Sequence, residues 1–184
     1  MLHGDRNAVI YGGGGSIGGA VARALAREGA TVHLAARTRS ALEAVAANAG
    51  GIDISFNAIS HNSVHGAPLA EIAVDGSGDP IRDYYIGGTQ VAFEAIEQLR
   101  RQRAVELGQH GIRVVTLRTG GIPESLPDDM PGRDAIVETM PAPTTLGRTA
   151  TLEDVGNVAA FVASDRARTL TAAAVNISCG ALID

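Results

Sequence analysis

Lysine is absent from this chain: all 15 of its basic residues are arginine. A site that needs a lysine amine, as nucleophile or as proton carrier, cannot be built here, because arginine stays protonated in any realistic protein environment. Trp is missing too, and Phe and Tyr contribute three residues each, so the core must be assembled from Ala, Val, Ile and Leu. The one cysteine, Cys179, excludes an internal disulfide and fits a reducing, cytoplasmic setting. It lies in an apolar, strand-like stretch, which reads as a buried structural thiol. Long hydrophobic runs are lacking, and Met1 to Arg6 has no apolar signal core, so neither a membrane span nor a secretion signal is expected. The net charge of −5 and the absence of a basic run argue against nucleic acid as a partner. His3, His33, His61, His65 and His110 do not cluster like metal ligands, and His61 and His65 sit in a polar loop with no nearby Cys and only scattered acids, so no metal is expected.

Glycine, by contrast, is plentiful and concentrated near the start. Ala8 to Tyr11 is a short apolar run, as a buried parallel strand requires, and it enters Gly12-Gly-Gly-Gly-Ser-Ile-Gly18. Ile17, Val21, Ala24 and Leu25 then recur at helical spacing, with Arg23, Arg27 and Glu28 on the other face. Gly29 ends that helix, and Thr31 to Ala36 reads as a second strand. Strand, glycine turn, helix and strand in this order make a cradle for the diphosphate of a dinucleotide. The turn glycines let the backbone approach the anion, and the helix start offers free N–H groups and the positive end of its dipole. A glycine-rich turn in some other α/β protein is the plainer alternative. Where an acidic residue would accept bonds from the adenosine ribose, the chain has Ala36 followed by Arg37. That favours NADP(H) over NAD(H), with Arg37 at the 2′-phosphate; a solvated loop arginine is the other reading.

Ser40-Ala-Leu-Glu43 forms a capping box that opens a second helix, closed by Gly50-Gly51. Ile52 to Ala58 reads as a third strand, whereas Ile59 to Ile86 shows no periodicity. Gly88 to Leu107 reads as a long helix with Val91, Ala95, Ile96 and Leu99 inward, and Arg100, Arg101 and Arg103 outward. Ile112 to Leu117 is a fourth strand, followed by a Pro/Gly-rich loop with a short helical piece from Asp134 to Met140. Thr151-x-x-Asp154 caps a final helix to Ser164, and Ala173 to Ile177 is the last strand. Alternating strands and helices imply one α/β domain over residues 1–184, with a doubly wound parallel sheet.

These residues resemble the short-chain dehydrogenase/reductase family along nearly the whole chain. The Gly12 to Gly18 turn is similar to that family's glycine motif, with Tyr11 and Ser16 in place of its Thr and middle Gly. Asp53-Ile-Ser-Phe-Asn57-Ala-Ile-Ser60 resembles its strand ending in Asn-Asn-Ala-Gly. Glu106 to Val114 is similar to the segment leading into its sixth strand, and Thr119-Gly-Gly-Ile122 stands where the family meets the nicotinamide carboxamide. Leu146-Gly-Arg148, Glu153-Asp-Val155 and Ala163-Ser-Asp165 match its C-terminal helix region. The resemblance implies a Rossmann-like fold and hydride transfer between nicotinamide and a carbonyl or alcohol carbon of a small molecule. It places Gly12, Ser16, Ile17 and Gly18 at the diphosphate, Asn57 and Ala58 near adenosine, and Gly120 and Ile122 at the nicotinamide.

The chain also departs from that pattern. One strand and its helix are missing between Gly50 and Gly51. A second helix and strand, the strand that normally carries the catalytic Ser, are lost within residues 61–83, leaving about five strands. The family's Tyr-x-x-x-Lys falls on Thr89 and Phe93, neither of which moves protons near neutral pH. Tyr85, one helical turn before Thr89, is the candidate acid, with a tyrosine merely packed at the helix start as the alternative. The expectation is an oxidoreductase with impaired or atypical catalysis, and a homo-oligomer weakened by the missing helix. A non-catalytic nucleotide-binding or regulatory module is its rival, and a nonfunctional shortened product a third possibility.

Overall fold

The computed structural model describes the backbone of residues 1–35, 51–58 and 89–183, with the side chains of all these except 89–96. The helix expected from Ser40, the aperiodic stretch from Ile59 to Ile86, Arg37 and Tyr85 lie outside the described residues. In chain order the elements are β1 (Asn7–Tyr11), α1 (Ser16–Arg27), β2 (Thr31–Ala35), β3 (Ile54–Asn57), α2 (Thr89–Gly108) and β4 (Val115–Arg118). A 3-10 turn (Pro123–Ser125), α3 (Arg133–Thr139), α4 (Leu152–Ala163), a second 3-10 turn (Asp165–Ala167) and β5 (Ala173–Asn176) follow. They divide between two compact units, residues 1–59 with 115–184, and residues 60–114.

In the first unit β1 is the middle strand of a parallel sheet ordered β2-β1-β3, with Ile10 opposite Leu34 and Phe56, and Tyr11 opposite Ala35 and Asn57. β4 and β5 form a second parallel ladder, with Val115 opposite Ala173 and Arg118 opposite Asn176. The five parallel strands expected from the sequence are therefore present, but among the described residues they form two ladders rather than one sheet. Residues 61–83, where the sequence reading has a strand of the family pattern lost between β3 and β4, lie outside the described residues.

Both ladders share a core. Ala8 and Ile10 of β1, Val21, Ala24 and Leu25 of α1, Ile54 of β3, and Val155, Ala159 and Ala160 of α4 are buried together with Ile122. Leu117 and Ile177, at the second ladder, pack against the same cluster. The periodic face read for α1 is the face it buries, because its apolar residues recur every three or four positions. α1 and α4 approach closely at Gly156, where a Cβ would meet the Ala20 carbonyl oxygen and the Ala24 Cβ, each at 3.0 Å.

Three local readings change. Leu99 of α2 is 53% exposed, whereas Arg100 is 7% exposed and Ala104 6%, so the inward face is turned by about one residue from the one expected. The Arg100 guanidinium is tied to Glu97 one turn earlier, its Nε donating at 3.0 Å, and that pairing lets a charged residue occupy a buried position. β4 begins at Val115 rather than Ile112, because a helix-ending turn with Gly111 at φ +73° takes up the intervening backbone. Cys179 sits beyond β5 in a turn with φ +56°, partly exposed, rather than buried in a strand.

Candidate functional site

The end of β1 determines the geometry of the glycine turn. Gly12 adopts φ +78°, a left-handed conformation that a side chain would strain, and its carbonyl accepts from Gly15 N at 3.0 Å. Gly18 then passes so close that a Cβ there would overlap the Gly12 carbonyl oxygen and lie 2.8 Å from its carbon. Backbone, not a flexible side chain, fills that space, so only glycine fits. Gly18 therefore packs on the turn itself.

Gly14, Gly15 and Ser16 are exposed at the start of α1. The helix is led by Gly15 with no side-chain cap, and its first turn contains no acidic residue. The contrast with α4 is direct. There Thr151 and Asp154 form a full capping box that occupies the N–H groups of both residues. An uncapped, carboxylate-free helix start leaves backbone donors and a positive dipole end for an outside anion. A dinucleotide diphosphate fits this cradle: the closest backbone approach occurs where a Cβ is forbidden, and the exposed N–H groups follow at once.

Asn57 and Ala58 come to the same end of the sheet. Tyr11 is opposite Asn57 in register, and Ala58 N donates to the Tyr11 carbonyl at 2.9 Å. Gly120 lies where a Cβ would meet Ser178 backbone and side chain at 3.2–3.3 Å. Ile122 is 3% exposed and belongs to the core, so it anchors its segment from inside. The segment is held further by Ser125 Oγ, which donates to the Ile122 carbonyl at 2.7 Å, and by Glu124, whose Oε2 accepts from Leu152 N at 2.5 Å. Glu124 was not singled out by the sequence, since a contact across 28 residues leaves no local pattern. Thr89 opens α2, and Arg37 and Tyr85 lie outside the described residues.

The Asp154 carboxyl is held below its ordinary value chiefly by the Thr151 backbone N–H, with the Thr151 side chain and Arg148 assisting and burial opposing. Among the described residues no group of three His, Cys, Asp or Glu side chains is placed to hold a metal, and no helix is long and apolar enough to cross a membrane.

Comparison with known proteins bears on this geometry. The family described as Enoyl-(Acyl carrier protein) reductase matches residues 65–181. The NADH enoyl-acyl-carrier-protein reductase FabI of Haemophilus influenzae is 34% identical over 90 residues, covering 49% of this chain and 34% of that protein. FabI of Bacillus cereus is 30% identical over 115 residues, covering 62% of this chain and 44% of that protein. The matches thus span from about a third to under half the length of these curated relatives. Among solved structures, a protein titled Dehalogenation enzyme aligns with TM-score 0.81 at 19% identity, over 99% of this chain and 100% of that one. A dehydrogenase/reductase from Sinorhizobium meliloti 1021 aligns with TM-score 0.75 at 20% identity, over 98% and 96%. At such identities the structural likeness establishes the Rossmann-like α/β fold.

The expected NADP(H) preference is overturned, because the curated relatives carry NADH in their names. Ala36-Arg37 does not by itself make a 2′-phosphate site. A missing carboxylate removes repulsion of a 2′-phosphate, but a phosphate site also needs a guanidinium held towards it.

Proposed function

From the premise that the chain belongs to the short-chain dehydrogenase/reductase family, an oxidoreductase family, we propose that it binds NAD(H) and takes part in hydride transfer. The observation that carries this reading is the Gly12–Gly18 contact, a backbone approach that admits no side chain beside an uncapped helix start. When bound, NADH supplies a hydride. Backbone N–H groups of Ser16, Ile17 and Gly18 receive the diphosphate, Asn57 and Ala58 border the adenosine, and the backbone at Gly120 and Ile122 faces the nicotinamide. The substrate class is an enoyl thioester, in keeping with the names of the relatives, with a carbonyl as the alternative acceptor.

Catalysis is atypical in this reading. With no lysine in the sequence, and with Thr89 and Phe93 at the family's tyrosine and lysine positions, Tyr85 is left as the proton donor. Losing a positioned proton relay typically removes roughly 10²–10⁴ in rate. The test combines NADH titration with NADH oxidation on enoyl-thioester and carbonyl panels. Gly18→Ala should weaken NADH binding at least about tenfold, since the Gly12 turn must shift to admit the methyl group. Tyr85→Phe should abolish turnover and keep NADH binding. Native-like NADH affinity in Gly18→Ala would remove the cradle from this account. The lysine-free sequence equally favours a second reading, a nucleotide-binding module without chemistry; NADH binding with no oxidation on either panel would select it.

A further inference from the structure

The segment from Thr119 to Ser125 is pinned at several points, and one pin reaches the far side of the chain. The α4 capping box uses the backbone N–H groups of Thr151 and Asp154. Leu152, the first residue of α4, also has an N–H with no partner inside its helix. Glu124 takes that N–H: its Oε2 lies 2.5 Å from Leu152 N, across 28 residues. α4 is itself fixed to α1 where Gly156 lies against the Ala20 carbonyl, and the start of α1 is the diphosphate cradle. Ala20, Ala24, Glu124, Leu152 and Gly156 line one cleft of about 380 Å³ in which these parts meet.

We propose that Glu124 is a positioning residue that sets the distance between the diphosphate cradle and the backbone facing the nicotinamide. It holds the 119–125 segment to the first turn of α4, and α4 carries that position to α1 through the Gly156 contact. Ile122 alone could not do this, because a buried apolar side chain fixes depth in the core but leaves the segment free to tilt about it. The carboxylate adds a directional attachment to the start of α4, strengthened by the positive end of the α4 dipole.

The proposal rests on the reading that Gly120 and Ile122 face the nicotinamide, so its test compares NADH with ADP-ribose, which shares everything except that ring. Affinities of both ligands, with melting temperatures, would be measured for the native protein, Glu124→Ala and Glu124→Gln. Glu124→Ala should weaken NADH by roughly two- to fivefold and leave ADP-ribose unchanged. Glu124→Gln keeps an oxygen acceptor for Leu152 N and should recover most of the NADH affinity. An equal loss for both ligands, or no loss for either, would overturn the proposal while leaving the functional reading in place. Native protein that binds NADH no better than ADP-ribose would instead overturn the reading itself, and the proposal with it.

Discussion

Cys179 shows how much a single backbone angle contributes. Its φ of +56° is a conformation that costs an L-residue about 1–2 kcal/mol, and the turn is fixed there by Leu146 N, which donates to its carbonyl at 3.1 Å. Glycine would remove that strain, at an entropic cost of about 0.4–1 kcal/mol in the unfolded chain. The balance favours Cys179→Gly by about 0.5 kcal/mol, an increase in melting temperature of about 1–2 °C, and Cys179→Ser should give no such gain. A lower melting temperature in the glycine variant would show that the thiol contributes packing beyond its backbone strain. At this scale the sequence is legible where a residue's role is local, as at Gly12 and Gly29, whose positive φ follows from the turns they sit in. It is silent about His3, which is fully buried with Nε2 2.9 Å from the Ala160 carbonyl. The partner is 157 residues away, and no spacing rule reaches that far.

Helices α1 and α4 carry two further expectations. At Gly156 a larger side chain gains a few tenths of a kcal/mol in helix propensity but meets the Ala20 backbone, and overpacking costs about 1–3 kcal/mol. The packing cost is the larger, so Gly156→Val should destabilise the protein by about 1–3 kcal/mol in denaturant unfolding. The start of α4 adds a pH dependence. The Asp154 carboxyl is held below its ordinary value of 3.8, first by the Thr151 backbone N–H. A depressed carboxylate contributes stability that is present above the unfolded value and is lost as pH falls through the folded one. Asp154→Ala should therefore cost about 0.5–1 kcal/mol at pH 7, and the gap to native protein should close on acidification below about pH 4. A gap unchanged at pH 3 would mean that charge is not what the carboxyl contributes. The α4 cap was readable because Thr151 and Asp154 lie within one turn of each other. The inward face of α2 was not, because an ion pair with Glu97 let Arg100 take a buried position that hydrophobic patterning assigned to its neighbour Leu99.

For the whole molecule, order and type of the described strands and α-helices followed from alternating apolar runs and glycine punctuation, and the glycine turn followed from its own spacing. The pairing of the described strands into a three-stranded and a two-stranded ladder did not, since partners in a sheet leave no local pattern in the sequence. The cradle joins the ends of β1 and β3 to the start of α1, so a ligand that uses it binds only the folded chain. NADH at 100 times its dissociation constant should then add about 2.7 kcal/mol, seen as a rise of about 5–10 °C in melting temperature. No shift at saturating NADH would count against the cradle. The core that supports it has a consequence for how the protein tolerates change. Ala8, Ala24, Ala30, Ala159 and Ala160 all lie in the buried cluster, and their small side chains let the helices close on the sheet. Truncation has little left to remove there, so an alanine scan would leave much of the interior untouched. Sensitivity runs in the opposite direction: random replacement at those sites enlarges the side chain in nearly every case, and the chain's mutational burden is one of crowding rather than of cavities.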